Sequence, residues 1–297
     1  MTAAELAPKR RLRLRRPARS AAGPVGLVIL AVMALLCFGA PLIAQWSGHN
    51  QLDVDLANRL AAPSFEHPLG TDDIGRDVAL RLLYGGQVSL AVGLAAALAA
   101  MVIGTVVGLI AGFYGGRVDT LLMRVTDWMI SLPTLPLLIV LSAADLSKLG
   151  LSGLAESADL SLYRIVAIIA LTGWTLAARL VRGATLSVRT RDYIAAARVA
   201  GAGPLRLMVI HILPNVASPL LVATTLSVGG VILTESVLSF LGLGIQPPTP
   251  SWGNMLSNAQ DLITTTPSLA FYPGACIFVT VIACNLMGDW LQQRLRD

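Results

Sequence analysis

An all-α protein that crosses the membrane six times is the fold class this sequence predicts, and three observations predict it. Of its 297 residues 55% are hydrophobic and only 13% are charged, with a mean hydropathy of +0.71, too little polar surface for a soluble domain of this size. The charges gather in blocks, and long uncharged stretches lie between them, most of them near or above the ~20 residues a helix needs to cross a bilayer. The basic residues also concentrate in alternate connecting segments, as expected when Lys and Arg stay on the cytoplasmic side.

Residues 1–20 form a basic arm carrying Lys9, Arg10, Arg11, Arg13, Arg15, Arg16 and Arg19. A run of Arg can neutralise nucleic-acid phosphates. Beside a membrane span, topology and attraction to anionic lipid headgroups explain it better, so no nucleic-acid partner is expected. Ala21 to Ala44 is uncharged and gives a first span at about 23–45. It is longer than a signal-peptide core and ends in no clear small-x-small site, so it is expected to be retained. An outer loop over 46–86 follows. Leu82 to Gly116 is uncharged and predicts a span at 87–112, and Trp128 to Ala144 predicts one at 126–144, kinked by Pro133 and Pro136. Ile165 to Ala178 is shorter, but Arg164 and Arg179 at its ends can snorkel to the two interfaces, giving a span at 163–180. A cytoplasmic loop over 181–215 leads to spans at 216–241 and 270–290, and 293–297 is a tail. A single transmembrane domain thus covers 21–292. Cys37, Cys276 and Cys284 fall in apolar segments and read as small hydrophobes rather than a disulfide framework.

With the arm inside, the inner segments gain Arg117, Arg124, Arg179, Arg182, Arg189, Arg191, Arg198, Arg206, Arg294 and Arg296. The outer segments keep only Arg59, Arg76, Arg81, Lys148 and Arg164, together with most of the acids, including Asp53, Asp55, Glu66, Asp145, Glu156 and Asp261. Both termini are therefore expected in the cytoplasm, in agreement with an even number of spans.

The same inventory removes several functions. A P-loop needs a lysine at the end of a Gly-rich turn to hold phosphates, and neither Lys9 nor Lys148 follows one. An ion-coupled carrier usually places several ionisable groups in its spans, whereas Glu235 is the only acid deep in an apolar stretch. His49, His67 and His211 are scattered and no H-E-x-x-H occurs, so neither a metal centre nor catalysis is expected. The energy for any transport would come from other chains.

The inner loop carries the most information. Asp192 is placed to cap a helix through Tyr193, Ile194, Ala195, Ala196, Ala197, Arg198, Val199 and Ala200, with Gly201 as its left-handed terminator. Gly203-Pro204 starts a second helix, predicted to run to about Ile212, and Leu213-Pro214 stops it before the fifth span. The alanines give the first helix a small, smooth surface that a groove in another protein can approach. On shape alone, an interfacial amphipathic hairpin that only links two spans is the favoured reading.

Other segments have local readings. Asp72, Asp73 and Asp77 lack EF-hand spacing and its distal Glu. Asp72 and Asp73 are expected to cap the helix that follows, and Gly70 and Gly75 to sit in turns. Gly242 and Gly244 with Pro247 and Pro248 mark a helix end and a rigid exit loop. Glu235 either lines a solute path or hydrogen-bonds a neighbouring helix.

Tyr193, Ala196, Ala197, Gly201 and Ile212-Leu213-Pro214-Asn215 resemble the EAA loop of ABC-importer permeases, in which the loop forms a coupling helix that docks into a cleft of the ATPase. The Glu that names the motif falls at Ala195 here, so docking would rest on shape, apolar contact and arginines such as Arg191 and Arg198. The stretch His67 to Asp77, with Gly70, Thr71, Asp72, Gly75, Arg76 and Asp77, resembles the outer-loop signature of the C-type permease in dipeptide, oligopeptide and nickel importers. Arg81 to Leu90, Gly112 to Asp119, Arg124 to Pro133, Glu235 to Gly244, Pro247 to Gly253 and Gly288 to Leu291 match the same group in order, so the resemblance spans roughly residues 20–292. It implies a type I ABC importer permease fold in a bacterial inner membrane, with no cofactor bound by this chain. The implied partners are a homologous second permease, two ABC ATPase subunits that carry ATP and Mg, and an extracytoplasmic solute-binding protein. Di- or oligopeptides are the expected cargo, with nickel chelates, opines and glutathione as alternatives. A self-contained channel or carrier, or an assembly protein, is disfavoured by the ordered set of motifs.

Overall fold

The structure, a computed structural model, describes residues 22–144 and 158–296. The basic arm over 1–20 lies outside the described residues, as do Asp145, Lys148 and Glu156 of the outer segment. Among the described residues every regular element is helical, and the only strand-like pairing is an isolated bridge between Thr71 and Asp77.

Four helices are long and apolar enough to cross a membrane: α3 (Val78–Tyr114), α6 (Ala158–Val188), the run Pro204–Phe240 that ends in α9 (Leu213–Phe240), and α11 (Ser268–Arg296). Two bent pairs raise the number to six if each is one span. The first is α1 (Ala22–Phe38) with α2 (Ala40–Ser47), bent by 48° at Gly39 and followed at once by Pro41. The second is α4 (Gly116–Ser131) with α5 (Thr134–Ala143), bent by 87°. Here the predicted kink is a near right-angle break. A proline drives the residue before it out of the helical region, and Leu132 and Pro133 are both extended, with ψ of 136° and 113°. Pro136 sits in the first turn of α5, where its missing N–H costs nothing.

Lipid tails are as apolar as side chains, so helices in a bilayer associate by close packing rather than by hydrophobic burial. The most extensive pairing, α3 with α6, rests on a stripe of glycines one turn apart. A Cβ added at Gly104 or Gly108 would stand 2.5 Å from the carbonyl oxygen of Trp174 or Ala178, and one at Gly112 would stand 2.6 Å from Thr185 Cβ. Beyond the stripe Arg189 Nη1 donates to the carbonyls of Gly112 at 2.8 Å and Phe113 at 3.2 Å. It thereby satisfies the last carbonyls of α3, which have no partner within the helix. Arg182 forks onto Asp119 of α4, and Arg179 reaches Asp127 at 2.6 Å.

Several predicted boundaries move. α3 begins at Val78, not near 87, because Asp77 caps it and Arg81 is buried beside Asp72 instead of marking the loop. Asp72 and Asp73, expected as caps, are not the cap. α6 runs on to Val188, past the predicted end at 180, since Arg179 and Arg182 have partners on α4. Leu213-Pro214 does not stop the second loop helix. A short helix α8 (Pro204–Arg206) passes through a π-helical stretch, Leu207–Ile212, directly into α9. Pro214 lies in the first turn of α9, and Asn215 Nδ2 donates to the His211 carbonyl at 2.7 Å. Finally α10 (Trp252–Ala259), which hydropathy does not reveal, fills the segment between the last two spans, opened by a reciprocal capping box of Ser251 and Asn254.

If the glycine stripe sets the α3–α6 distance, Gly108→Leu should prevent accumulation of folded chain in the membrane. Gly183→Ala on α6, where a Cβ meets nothing within 4 Å, should leave the level unchanged. Fluorescence-detected size exclusion of both variants checks this, and a normal profile for Gly108→Leu would contradict it.

Candidate functional site

The candidate residues fall at opposite ends of the bundle. At one end the last turns of α3 and α6 meet the start of α9, and α7 (Asp192–Val199) projects from them. Asp192 is the first residue of α7 rather than its cap. Arg191 holds the cap position without a side-chain bond, and Asp192 places its charge in the first turn, where the helix dipole favours it. The far end of α7 is a Schellman motif. Ala202 N–H donates to Ala197 O and Gly201 N–H to Arg198 O, both at 3.0 Å, with Gly201 at φ +86°. Glycine is the residue this backbone favours.

The faces of α7 differ sharply. Asp192, Tyr193, Ala195, Ala196, Arg198 and Gly201 are exposed, Ala197 is half-buried, and Val199 is 90% exposed, unusual for an apolar side chain. Ile194 points the other way and is fully buried, packed with Leu109 of α3, Val181 of α6, and Leu207, Met208, Ile212, Val216 and Leu220. Ile194 thus seats a largely exposed helix in a cluster to which α3, α6, the 207–212 stretch and α9 contribute, with α7 lying most closely against 207–212. Leu213 is half-buried against the same cluster, and Pro214 is exposed.

At the opposite end the outer-loop signature folds into a tightly hydrogen-bonded knot. Gly70 at φ +78° and Gly75 at φ +83° turn the chain, and Thr71 pairs with Asp77 across the turn. Asp72 Oδ1 accepts the N–H groups of Ile74 and Arg76 at 3.1 and 2.9 Å, and its Oδ2 holds Arg76 Nε at 2.7 Å and lies 3.5 Å from Arg81 Nε. Asp77 Oδ1 caps α3 through Leu80 N–H at 2.8 Å, while Oδ2 meets His67 Nδ1 at 2.8 Å. These charges serve one another and the backbone, which holds residues 58–77 against the start of α3.

Glu235 lies below this knot, with no exposed surface. Ser89 Oγ of α3 donates to its Oε2 at 3.1 Å and Ser239 Oγ to its Oε1 at 2.7 Å. Each serine in turn accepts a backbone N–H, Ser89 from Trp252 at 3.2 Å and Ser239 from Ile245 at 3.1 Å. Trp252 Nε1 donates to Leu82 O at 3.0 Å, and Asn254 Nδ2 to Thr249 O at 2.8 Å. One carboxylate therefore ties α3, α9, α10 and the exit loop together. Of the two readings of Glu235, this geometry matches the bond to a neighbouring helix. α9 ends in a second Schellman motif, with Leu243 N–H on Leu238 O at 2.9 Å and Gly242 at φ +73°.

With this geometry in place, comparison with known proteins is decisive. Residues 104–297 match the family of binding-protein-dependent transport system inner membrane components. A dipeptide transport system permease protein of Alkalihalophilus pseudofirmus is 38% identical over 271 residues, covering 91% of this chain and 84% of that protein. The chain belongs to this family. It is an ABC-importer permease of the peptide and nickel group, a multi-pass membrane subunit. A nickel transport system permease protein of Escherichia coli K12 is 38% identical over 272 residues, covering 91% of this chain and 92% of that protein. A glutathione transport system permease protein of Escherichia coli O6:K15:H31 is 38% identical over 283 residues, covering 95% and 88%.

The sequence reading missed the serines. Ser89 and Ser239 look like any small residue of a span and Ser251 like any loop serine, and only their packing turns them toward Glu235 or Asn254. It also missed Ile194, although an isoleucine alone on an alanine-rich helix is a signal that one face is anchored. Replacing Glu235 with Leu leaves two buried hydroxyls and their relay without an acceptor, a cost of about 1–3 kcal/mol per group. Thermal melting of the purified protein should fall clearly for Glu235→Leu and less for Glu235→Gln, which keeps one acceptor. Equal melting of Glu235→Leu and wild type would remove the role given to this carboxylate.

Proposed function

We propose that this chain forms half of the solute path of an ATP-driven, binding-protein-dependent importer for di- or oligopeptides, and that α7 is the element an ATPase subunit grips. The observation that carries the proposal is the two-sided character of α7. Its outer face is small, exposed and terminated by a left-handed glycine, while Ile194 is sealed into a core shared by α3, α6 and α9. A groove that closes on Ala195, Ala196, Ala197 and Arg198 would move three long helices as one body. Such a packed element passes between discrete positions rather than bending continuously. Ala195 at the usual Glu position leaves Arg191, Arg198 and apolar contact to hold the docked state.

On this reading ATP and Mg are bound by two partner subunits beneath α7, in the cytoplasm with both termini. A second, related permease completes the path, and a solute-binding protein delivers cargo at the end that carries Gly70, Thr71, Asp72, Gly75, Arg76 and Asp77. ATP binding draws the coupling helices together and turns the permease pair outward, and hydrolysis resets it. The relatives named for dipeptide, nickel and glutathione transport are equally similar, so similarity alone does not choose the cargo. Among the described residues Glu235, the acid deep in a span, is already engaged by serines and is not free to bind a cargo cation.

Gly201→Val tests the docking role. A left-handed backbone costs a residue with a Cβ about 1–2 kcal/mol, yet nothing lies within 4 Å of the added atom, so the spans are untouched. The expected result is an assembled importer whose ATP hydrolysis continues while uptake is lost. Normal uptake by Gly201→Val would sink the proposal.

A further inference from the structure

Between α3, α5, α6 and α9 lies a cavity of about 290 Å³. Its lining comes from residues 97–101, 169–177 and 223–234, the middle stretches of three long helices, so it sits near half-depth in the bundle. Leu176, Ala223 and Ser227 also line a second cavity of about 640 Å³, which continues past Pro219 to Gln292 and Leu295, toward the end that carries α7. The two cavities thus neighbour each other along α6 and α9, one near mid-depth and the other toward one face.

Among the described residues none that lines the first cavity is charged. Its polar groups are the hydroxyls of Thr134, Thr172, Ser227 and Thr234, beside the bare backbone of Gly173 and Gly230. Three of these hydroxyls have committed their protons to their own helices. Thr172 Oγ1 is 3.1 Å from both Ile168 O and Ile169 O, Ser227 Oγ donates to Thr224 O at 2.8 Å, and Thr234 Oγ1 donates to Gly230 O at 2.9 Å. A hydroxyl whose proton is used in this way still offers its lone pairs. The wall therefore accepts hydrogen bonds and donates few. A solute rich in N–H groups and small apolar side chains suits it. A carboxylate-rich solute meets neither a cation nor a free donor there.

We infer that this cavity is the chain's own stretch of the solute path, and that Thr172, Ser227 and Thr234 accept hydrogen bonds from the ammonium and peptide N–H groups of a short peptide in transit. The inference rests on the importer reading above and assigns its substrate-contacting residues.

The test uses the complete importer, reconstituted in vesicles with its ATPase and permease partners, and follows uptake of labelled dialanine and labelled glutathione. A Cβ at Gly230 meets nothing within 4 Å, so Gly230→Phe places a ring in the cavity without displacing backbone. Uptake should fall by about tenfold or more while the ATPase subunits still co-purify. Thr172→Val with Thr234→Val keeps the shape and removes the acceptors. The KM for dialanine should rise by about fivefold for each hydrogen bond lost. ATP-driven dialanine uptake at the wild-type rate and KM in both variants would overturn the path assignment alone. Blockage by Gly230→Phe of an importer that carries glutathione but not dialanine would overturn the preference against carboxylate-rich solutes. Absence of ATP-driven uptake in the wild type would overturn the importer reading itself and this inference with it.

Discussion

The close approach of α3 and α6 is the contact on which the rest of the structure depends. Three glycines one turn apart let the two backbones meet, in a setting where burial of apolar surface contributes little to helix pairing. From that seam Arg189 reaches the terminal carbonyls of α3, Arg182 and Arg179 reach the acids of α4, and Val181 and Leu109 form the floor on which Ile194 sits. The position of α7 is thus set by a cluster that α3 and α6 share with the 207–212 stretch and the start of α9. An element meant to transmit force has to be anchored in this way.

The opposite end is built on different physics. There polar groups are numerous and many are paired, although Arg81 Nη1 and Gln51 Oε1 are buried without a partner. Asp72, Asp77, Arg76 and His67 close the outer knot, and Glu235 holds two serines that in turn hold the exit loop. A buried carboxylate without partners would be costly, and two relays, each from a backbone N–H through a serine to the carboxylate, offset that cost. The result is a bundle with a polar clasp at one end and an apolar anchor at the other. The uncharged, hydroxyl-lined recess lies between them.

Much of this was legible in the sequence, for identifiable reasons. Long uncharged stretches report helices that face lipid, so the apolar helices and the broken one at Pro133 could be read directly. Gly201 and Gly242 report left-handed helix ends, since no other residue adopts that backbone as readily. What escaped depends on which way a side chain faces. Arg81 looks like a loop residue until its burial beside Asp72 is seen, and this moved the start of α3 by about two and a half turns. Pro214 can end one helix or begin the next, and only the π-helical stretch before it shows that the chain does not stop. The glycine stripe was present in the letters but was masked by the abundance of Gly and Ala throughout the spans. The short helix α10 does carry a helical pattern, with Trp252, Met255, Leu256 and Ala259 on one face, but it is only 8 residues long and too polar overall to register among the long uncharged stretches.

Contact at α7 is the most direct test of the account. A cysteine placed at Ala196, on the exposed face, can be cross-linked in native membranes with a short thiol-to-amine reagent, while Cys37 and Cys284 are buried and Cys276 is half-buried. The account predicts a cross-link to a P-loop ATPase subunit whose yield changes when ATP is added. Cross-links to lipid alone, or to another copy of this chain with no ATP dependence, would contradict it.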